Sequence, residues 1–229
     1  MADWILVHLV ACDQLRPSSR KPREVTNMNV DPRNLLAVPK LYQLFANLVA
    51  GPAARRRVAD EFLKVKPGDR VLDVGCGPGV MRPLLPDVIY CGVDVSSKYI
   101  SAARAHQGDR DRFIVRAVTA QTSFDDLGKF DLVMANALVH HLDDAETSSL
   151  FQAAKAVLNS GGRVVTLDNV FIPEQSTIAR WIIKLDRGKY VRTKAEYVAL
   201  ASQQFQNVHV TVLQDLLRIP YTHIIMECW

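Results

Sequence analysis

The sequence predicts an α/β protein with a doubly wound, mostly parallel seven-stranded sheet and helices on both faces. Short apolar runs rich in β-branched residues alternate with segments of helical period between residues 70 and 170. A glycine-rich turn follows the first of these runs, and two further apolar runs follow residue 205. Because strands that alternate with helices pair in parallel, both faces of such a sheet become covered by helices.

Seven strands are predicted, and the last two can close the sheet as an antiparallel pair. They are, in order, RVLDVG, YCGVDVS, RFIVRAV, FDLVMAN, RVVTLDNV, HVTVL and THIIMEC.

Four segments have helical character. They are residues 39–63, broken at Gly51-Pro52; SKYISAARAHQG, with Ser96 or Ser97 as its N-cap; AETSSLFQAAKAVLN, closed by Gly161-Gly162; and residues 181–205, with a kink near Gly188.

The composition is that of one ordinary globular domain. Of the 229 residues, 48% are apolar and 23% are charged, and the net charge of +4 comes without a dense basic stripe. The charge therefore does not demand a nucleic acid partner. The four cysteines form no CxxC pair, which is typical of reduced cytosolic thiols. WILVHLVA is too short to span a bilayer and lacks a basic flank, so we expect a cytoplasmic protein without membrane insertion.

The N-terminal segment differs from the rest of the chain. Residues 1–28 end in a stretch of proline, serine and charge without apolar period, which predicts a poorly ordered extension. Residues 29–229 are expected to form the domain. Either Met28 is the natural start, or the segment is a genuine flexible arm.

The stretch VLDVGCGPG, residues 71–79, indicates a ligand site. Glycines at 75, 77 and 79 allow close backbone approach to a ligand, but Val80 stands where a dinucleotide-binding loop has its third glycine. A dinucleotide oxidoreductase is therefore disfavoured. Asp73 is a poor neighbour for phosphate and a good one for an ammonium group, and Asp94 ends the second strand where ribose hydroxyls bind. These residues predict a nucleoside ligand with an amino-bearing arm and no phosphates.

Four motifs together resemble the class I S-adenosylmethionine-dependent methyltransferases. They are VLDVGCGPG, GVDVS, FDLVMANALVHHLDD and LNSGGRVVTLD, in the family's order across residues 65–170. The resemblance implies a Rossmann-like fold with N-terminal helices that cap the site. It implies S-adenosylmethionine as cofactor, bound by Asp73, Gly75, Cys76, Gly77, Gly79, Asp94, Val95, Val118, Thr119, Asn136 and Ala137.

Each part of that cofactor has an implied neighbour. The loop backbone and Asp73 lie against the methionine arm, Asp94 binds the ribose, and Asn136 and Ala137 lie beside the sulfonium and the carboxylate. The family's aspartate after the third strand is missing, since that region is RAVTAQTSF. Adenine is therefore expected to bind through backbone groups and apolar packing around Val118 and Thr119.

Two adjacent histidines, His140 and His141, are the candidate catalytic bases, with His141 slightly preferred. Methyl transfer is a direct displacement, and it needs a base only where the acceptor must lose a proton. The alternative is a structural pair, with one ring bonded to the backbone. No cluster of residues with metal-ligand spacing is present in the sequence.

The acceptor is expected to lie between the segments 35–60 and 171–205. The candidate contacts are Tyr42, Trp181, Tyr190 and Arg192, with ordinary core or solvated surface as the alternative. Arg187 or Arg192 gripping an anionic acceptor is the sharper hypothesis.

The predicted function is methyl transfer to a small molecule, with oxygen favoured as the acceptor atom and no metal. The tetrapeptide (N/D)PP(Y/F) of nucleic-acid amine methylation is replaced by Asn136-Ala137-Leu138, so we expect no nucleic acid partner. The alternatives are methylation of a macromolecule, protein or RNA, and a catalytically silent S-adenosylmethionine-binding regulator.

Overall fold

The computed structural model describes residues 52–185 and 188–229. Seven strands form one sheet in this part of the chain: β1 (Arg70–Val74), β2 (Ile89–Asp94), β3 (Arg112–Val115), β4 (Phe130–Asn136), β5 (Leu158–Asn169), β6 (Val208–Leu213) and β7 (His223–Cys228). The α-helices are α1 (Pro52–Val58), which continues as a π-helical turn over Ala59–Leu63, α2 (Ser97–Gln107), α3 (Asp144–Ala156), α4 (Thr177–Leu185) and α5 (Lys194–Ser202).

The strand order is β3-β2-β1-β4-β5-β7-β6. The first five strands are parallel, and β7 runs antiparallel to both β5 and β6. This confirms the predicted α/β fold class and the antiparallel late pair. The chain moves outward from β1 to β3 and then returns to the other side of β1 as β4, which opens a crevice beyond the carboxyl ends of β1 and β4.

Both faces of the sheet are buried. On β5 and directly after it, Val164 and Val170 point into one apolar cluster, whereas Val165 and Leu167 point into the other. Two-sided burial explains why the strands are nearly continuous apolar runs rather than alternating ones. The rigid sheet therefore fixes the positions of the residues at its carboxyl edge.

Side-chain caps start α2, α3, α4 and α5, and for α4 the Ser176 hydroxyl accepts from the Ala179 N–H at 3.1 Å. Ser96, one of the two predicted N-caps, accepts a hydrogen bond from the Tyr99 N–H at 3.3 Å and begins α2. Reciprocal capping boxes begin α3, through Asp143 and Glu146, and α5, through Thr193 and Glu196.

The prediction that Gly161-Gly162 terminates a helix was wrong. The helix α3 ends at Ala156, and both glycines lie inside β5. The pairing of β4 with β5 shifts register there, and Gly161 has a φ of +77°. A Cβ on Gly162 would come within 3.0 Å of the Phe130 carbonyl oxygen, so the glycines allow a bulge against β4.

The predicted kinked helix over residues 181–205 is instead two helices, α4 and α5, on either side of the segment that contains Gly188. The extension 1–28, the predicted helix over residues 39–50 and Tyr42 lie outside the described residues. Cys76, Cys91 and Cys228 are buried free thiols. Among the helices of the described ranges, none combines the length and the apolar character needed to cross a bilayer.

Candidate functional site

The glycine loop after β1 is bare backbone bound to the neighbouring strand. Gly75, Gly77 and Gly79 have φ values of +74°, +55° and +75°, in the left-handed region that disfavours side chains. The N–H groups of Gly75 and Cys76 donate to the Val93 carbonyl at 2.8 and 3.0 Å. The loop is thereby held over the carboxyl end of β2.

Asp94 ends β2 and contacts this loop directly. Its Oδ2 accepts from the Gly77 N–H at 3.0 Å, and its Oδ1 accepts from the Ser96 N–H at 2.7 Å. Burial raises the pKa of the Asp94 carboxyl, and the two backbone hydrogen bonds oppose that shift. Each carboxylate oxygen keeps a further acceptor position, which suits a ligand with vicinal hydroxyl groups.

Asp73 lies within β1, and 2% of its surface is exposed. Its Oδ2 accepts a hydrogen bond of 2.5 Å from the Tyr90 hydroxyl. Burial raises the pKa of the Asp73 carboxyl to about 7, and the charge of Asp94 adds to this, whereas the Tyr90 hydrogen bond lowers it. A cation that bound beside Asp73 would favour its ionised form.

Asn136 ends β4 on the other side of the crevice. Its side chain is buried, and neither Oδ1 nor Nδ2 has a hydrogen-bond partner among the described residues. The next residue, Ala137, has a φ of +53°, and its N–H donates to the Leu167 carbonyl at 2.6 Å. Unpaired buried amides and strained backbone are both costly, and they concentrate at sites that bind ligands.

A buried histidine–carboxylate pair joins the ends of β4 and β5. The Nδ1 of His140 lies 2.8 Å from Oδ1 of Asp168, and the His140 N–H donates to the same oxygen at 3.1 Å. Burial is the main cause that raises the pKa of the Asp168 carboxyl, and its contacts with His140 lower it. If Nδ1 carries the proton shared with Asp168, the lone pair that can act as a base is on Nε2.

The segment after α4 encloses His140. The Tyr190 N–H donates to the His140 carbonyl at 3.0 Å, and a Cβ on Gly188 would overlap Cδ2 of the His140 ring. His141 is half-buried, with its ring centroid 4.1 Å from that of His140. The carboxylate partner thus belongs to His140, although the sequence slightly favoured His141.

Arg192 lies inside the protein rather than at an open surface. Its guanidinium donates to Asp144 Oδ1 at 2.7 and 3.0 Å and to the carbonyls of Val139, Leu142 and Tyr190 at 2.8–3.2 Å. These contacts give Arg192 a structural role, because it binds the ends of the turn that carries both histidines. They offer no support for the prediction that it grips an anionic acceptor.

The remaining predicted site residues differ in their exposure to solvent. Val95, Thr119, Trp181 and Tyr190 are exposed, and Val118 is half-buried against the core. Cys76 is buried in the loop, where burial raises the pKa of its thiol and disfavours the reactive thiolate. Arg187 and Tyr42 lie outside the described residues.

Three residues of the site were missed from the sequence: Asp168, Tyr90 and Gly188. The available signal for Asp168 was an acidic residue at the end of a predicted parallel strand, the same signal that identified Asp94. Within residues 52–185 and 188–229, no group of three His, Cys, Asp or Glu side chains is arranged to hold a metal ion.

Known sequences match the part of the chain that carries this site. The profile of the family described as "Methyltransferase domain" matches residues 72–166. The 27-O-demethylrifamycin SV methyltransferase of Amycolatopsis mediterranei is 34% identical over 118 residues, which is 48% of this chain and 42% of that protein. The ribosomal RNA small subunit methyltransferase C of Citrobacter koseri is 36% identical over 114 residues, 45% of this chain and 32% of that protein. The chain spans less than half the length of these curated relatives.

Solved structures share the fold at low sequence identity. The pyocyanin biosynthetic protein PhzM superposes with a TM-score of 0.61 at 16% identity, over 86% of this chain and 61% of that one. A TehB-like S-adenosylmethionine-dependent methyltransferase from Corynebacterium glutamicum has a TM-score of 0.57 at 13% identity, over 86% and 99% of the two chains. A complex of DhpI with SAH gives 0.57 at 18% identity, over 85% and 89%.

Proposed function

Because the chain belongs to the class I S-adenosylmethionine-dependent methyltransferases, we propose that it methylates a small-molecule acceptor, with oxygen as the favoured acceptor atom. The methyltransferase profile and the similar proteins confirm the family predicted from the four sequence motifs, with S-adenosylmethionine as its cofactor. The observation that carries the proposal is the buried pair of His140 and Asp168. A base held in this way is useful for an acceptor that must lose a proton, as a hydroxyl does.

The residues at the carboxyl edge of the sheet fit the cofactor. The loop of Gly75 and Gly77 offers bare backbone, Asp94 offers two carboxylate oxygens for the ribose, and Asp73 offers a carboxylate for an amino group. Asn136 offers a buried amide with both polar atoms unpaired among the described residues. These are acceptor and donor groups that a nucleoside with an amino-acid arm would satisfy.

The chain's own contribution to the reaction is to bind, orient and accept a proton. When bound, S-adenosylmethionine supplies the methyl group and a good leaving group. His140 takes the acceptor's proton on Nε2, and Asp168 stabilises the imidazolium that results and holds the ring in orientation. Holding two reactants in line can itself lower the barrier by about 7–11 kcal/mol.

The acceptor is proposed to contact two exposed aromatic residues, Trp181 on α4 and Tyr190 in the segment after it. Trp181 and Tyr190 are 60% and 41% exposed, and the backbone of Tyr190 is bonded to His140. Exposed aromatic side chains of this size offer a flat apolar surface to a ligand. Val118 and Thr119 remain proposed contacts of adenine, since both lie just beyond β3 at the same edge of the sheet.

RNA methylation is the second candidate, because relatives named ribosomal RNA small subunit methyltransferase C match at 34–36% identity. The residues at the end of β4 argue against it. Asn136-Ala137-Leu138 lacks the two prolines of the amine-methylating tetrapeptide, and the net charge of +4 is modest.

The two candidates can be separated with a labelled methyl group. Purified protein is incubated with methyl-tritiated S-adenosylmethionine and either a deproteinised metabolite extract or small ribosomal subunits. We expect label in the small-molecule fraction and none in RNA, and we expect His140→Gln to abolish transfer. Label in RNA alone would favour the second candidate. No label from either source, by a protein that binds the cofactor, would indicate a silent binding protein.

A further inference from the structure

A tyrosine hydroxyl is buried against the carboxylate that precedes the glycine loop. Tyr90 on β2 and Asp73 on β1 are each 2% exposed, and 2.5 Å separates the hydroxyl oxygen from Oδ2 of Asp73. The strand pairing places Asp73 beside Gly92, so Tyr90 reaches the carboxylate diagonally from two residues earlier on β2. Both side chains lie on the same face of the sheet.

The Tyr90 ring is held in place on several sides. It packs against Phe113 with ring centroids 5.6 Å apart, and the Arg82 guanidinium lies 5.8 Å from its centroid. Arg82 in turn forms a buried ion pair with Asp111 at 2.8 Å. Phenylalanine would fill the same apolar volume, so packing alone does not require the hydroxyl. A buried hydroxyl is costly unless it is hydrogen-bonded, and here its partner is Asp73.

We propose that Tyr90 is a positioning residue for the cofactor: its hydroxyl orients the Asp73 carboxylate toward the amino group of the methionine arm. This inference rests on the proposed function, since it needs a ligand with a cationic amino group beside Asp73. The Tyr90 hydroxyl is bonded to Oδ2 of Asp73 and not to Oδ1. Tyr90 therefore fixes Oδ2 and leaves Oδ1 to face the ligand.

The protonation of Asp73 makes binding of the amino-acid arm depend on pH. The titratable groups that face Asp73 are Tyr90 and Asp94 from β2 and the Cys76 thiol from the loop, whereas β4 presents Met134 at the paired position. Burial and the charge of Asp94 raise the pKa of Asp73 to about 7, and Tyr90 opposes them. Binding of a cationic arm should therefore strengthen as pH rises through about 7. Removing the hydroxyl should move that midpoint to higher pH.

Calorimetric titration between pH 6 and pH 9 tests the inference with two ligands. S-adenosylhomocysteine carries the amino-acid arm, and 5′-methylthioadenosine is the same nucleoside without it. For Tyr90→Phe we expect S-adenosylhomocysteine to bind roughly 10-fold more weakly at pH 7, with the pH midpoint raised, and methylthioadenosine to bind within about twofold of wild type. The matched control is Tyr197→Phe, which removes another buried hydroxyl, one that donates to the Asn169 carbonyl.

Several results would overturn the inference. An unchanged pH profile in Tyr90→Phe would do so, as would equal weakening of both ligands, which indicates general damage to the site. Asp73→Asn provides a second check, because it should flatten the pH profile for S-adenosylhomocysteine even if Tyr90→Phe folds poorly. A wild-type protein that binds neither ligand would overturn the proposed function as well, and this result is distinct from the others.

Discussion

One carboxylate oxygen, Oδ1 of Asp168, binds His140 at two points: the ring Nδ1 at 2.8 Å and the backbone N–H at 3.1 Å. The ring is therefore fixed in rotation as well as position, because main chain and side chain share one anchor. Asp168 lies on β5 and His140 follows β4, so the anchor joins two neighbouring parallel strands. Such a contact depends on the sheet rather than on local sequence.

Replacing His140 should remove the base and leave cofactor binding intact. We expect His140→Gln to lower the transfer rate about 100- to 10,000-fold, the usual contribution of a positioned general base. Affinity for S-adenosylhomocysteine should change less than about twofold. The rate is measured with the acceptor fraction that the labelled-methyl screen identifies. His209→Gln is the control, since His209 is exposed on β6, and a His140 variant with the wild-type rate would exclude the base role.

Gly188→Ala should act through His140 without touching the cofactor loop. A Cβ at residue 188 would overlap the imidazole, so the ring must leave its place beside Asp168 or the segment must move. We expect a fall in the transfer rate of at least about 10-fold, as small misplacements of a reacting group cost that much or more. Lys189→Ala is the control at the next, exposed position. Equal rates for the two variants would contradict this explanation.

Arg192→Met should destabilise the protein rather than weaken acceptor binding alone. The substitution removes the guanidinium bonds to the carbonyls of Val139 and Leu142, each of which keeps one weaker or local partner, and it breaks the pair with Asp144. Removing one partner from a buried network costs about 3–5 kcal/mol, and because the Asp144 side chain is exposed we expect a loss of about 3 kcal/mol. Chemical denaturation measures this loss, with the exposed Lys194→Met as control. A variant of wild-type stability would restore Arg192 as a candidate ligand of the acceptor.

Asp73→Asn should stabilise the cofactor-free protein at neutral and alkaline pH. Because the pKa of Asp73 is raised from 3.8 to about 7, the folded state binds more protons than the unfolded state between these values. The stability of the wild type therefore falls, through this group, as pH rises from about 4 to about 7, and it stays low above that range.

The comparison is made by thermal melting of the two proteins between pH 5 and pH 8. The melting temperature of Asp73→Asn relative to wild type should increase with pH across this range. Asp126→Asn is the control, because Arg116 lowers the pKa of that exposed carboxyl and no such gain should follow. A constant difference between Asp73→Asn and wild type would contradict the titration of Asp73 in this window.

The parts of the candidate site that depend on local residue types can be proposed from the sequence alone. The glycines at 75, 77 and 79, and Asp94 at the end of a strand, are fixed by the backbone conformation and by the strand in which they occur. The alternation of strands and helices was sufficient for the fold class, since it leaves few ways to bury both faces of the sheet.

Other features required the tertiary structure. Asp168 is 28 residues from His140, and only the pairing of β4 with β5 brings the two together. Arg192 belongs to a basic run whose composition is typical of a solvated surface. Three backbone carbonyls and Asp144 nevertheless hold its side chain inside the protein. Gly161-Gly162 has the signature of a helix stop, and the same freedom of backbone conformation serves a strand bulge.

Binding of S-adenosylmethionine through Asp94 tests the central claim most directly. Calorimetric titration compares the wild type with Asp94→Asn. The control is Asp131→Asn, because the Asp131 carboxylate also accepts a backbone N–H, at 2.8 Å, but lies at the opposite edge of the sheet. We predict that the wild type and Asp131→Asn bind the cofactor, and that Asp94→Asn binds it about 10- to 100-fold more weakly, as expected for loss of a charged hydrogen-bonding group. Equal affinities of the wild type and Asp94→Asn, or no binding by the wild type, would contradict the assignment of this site.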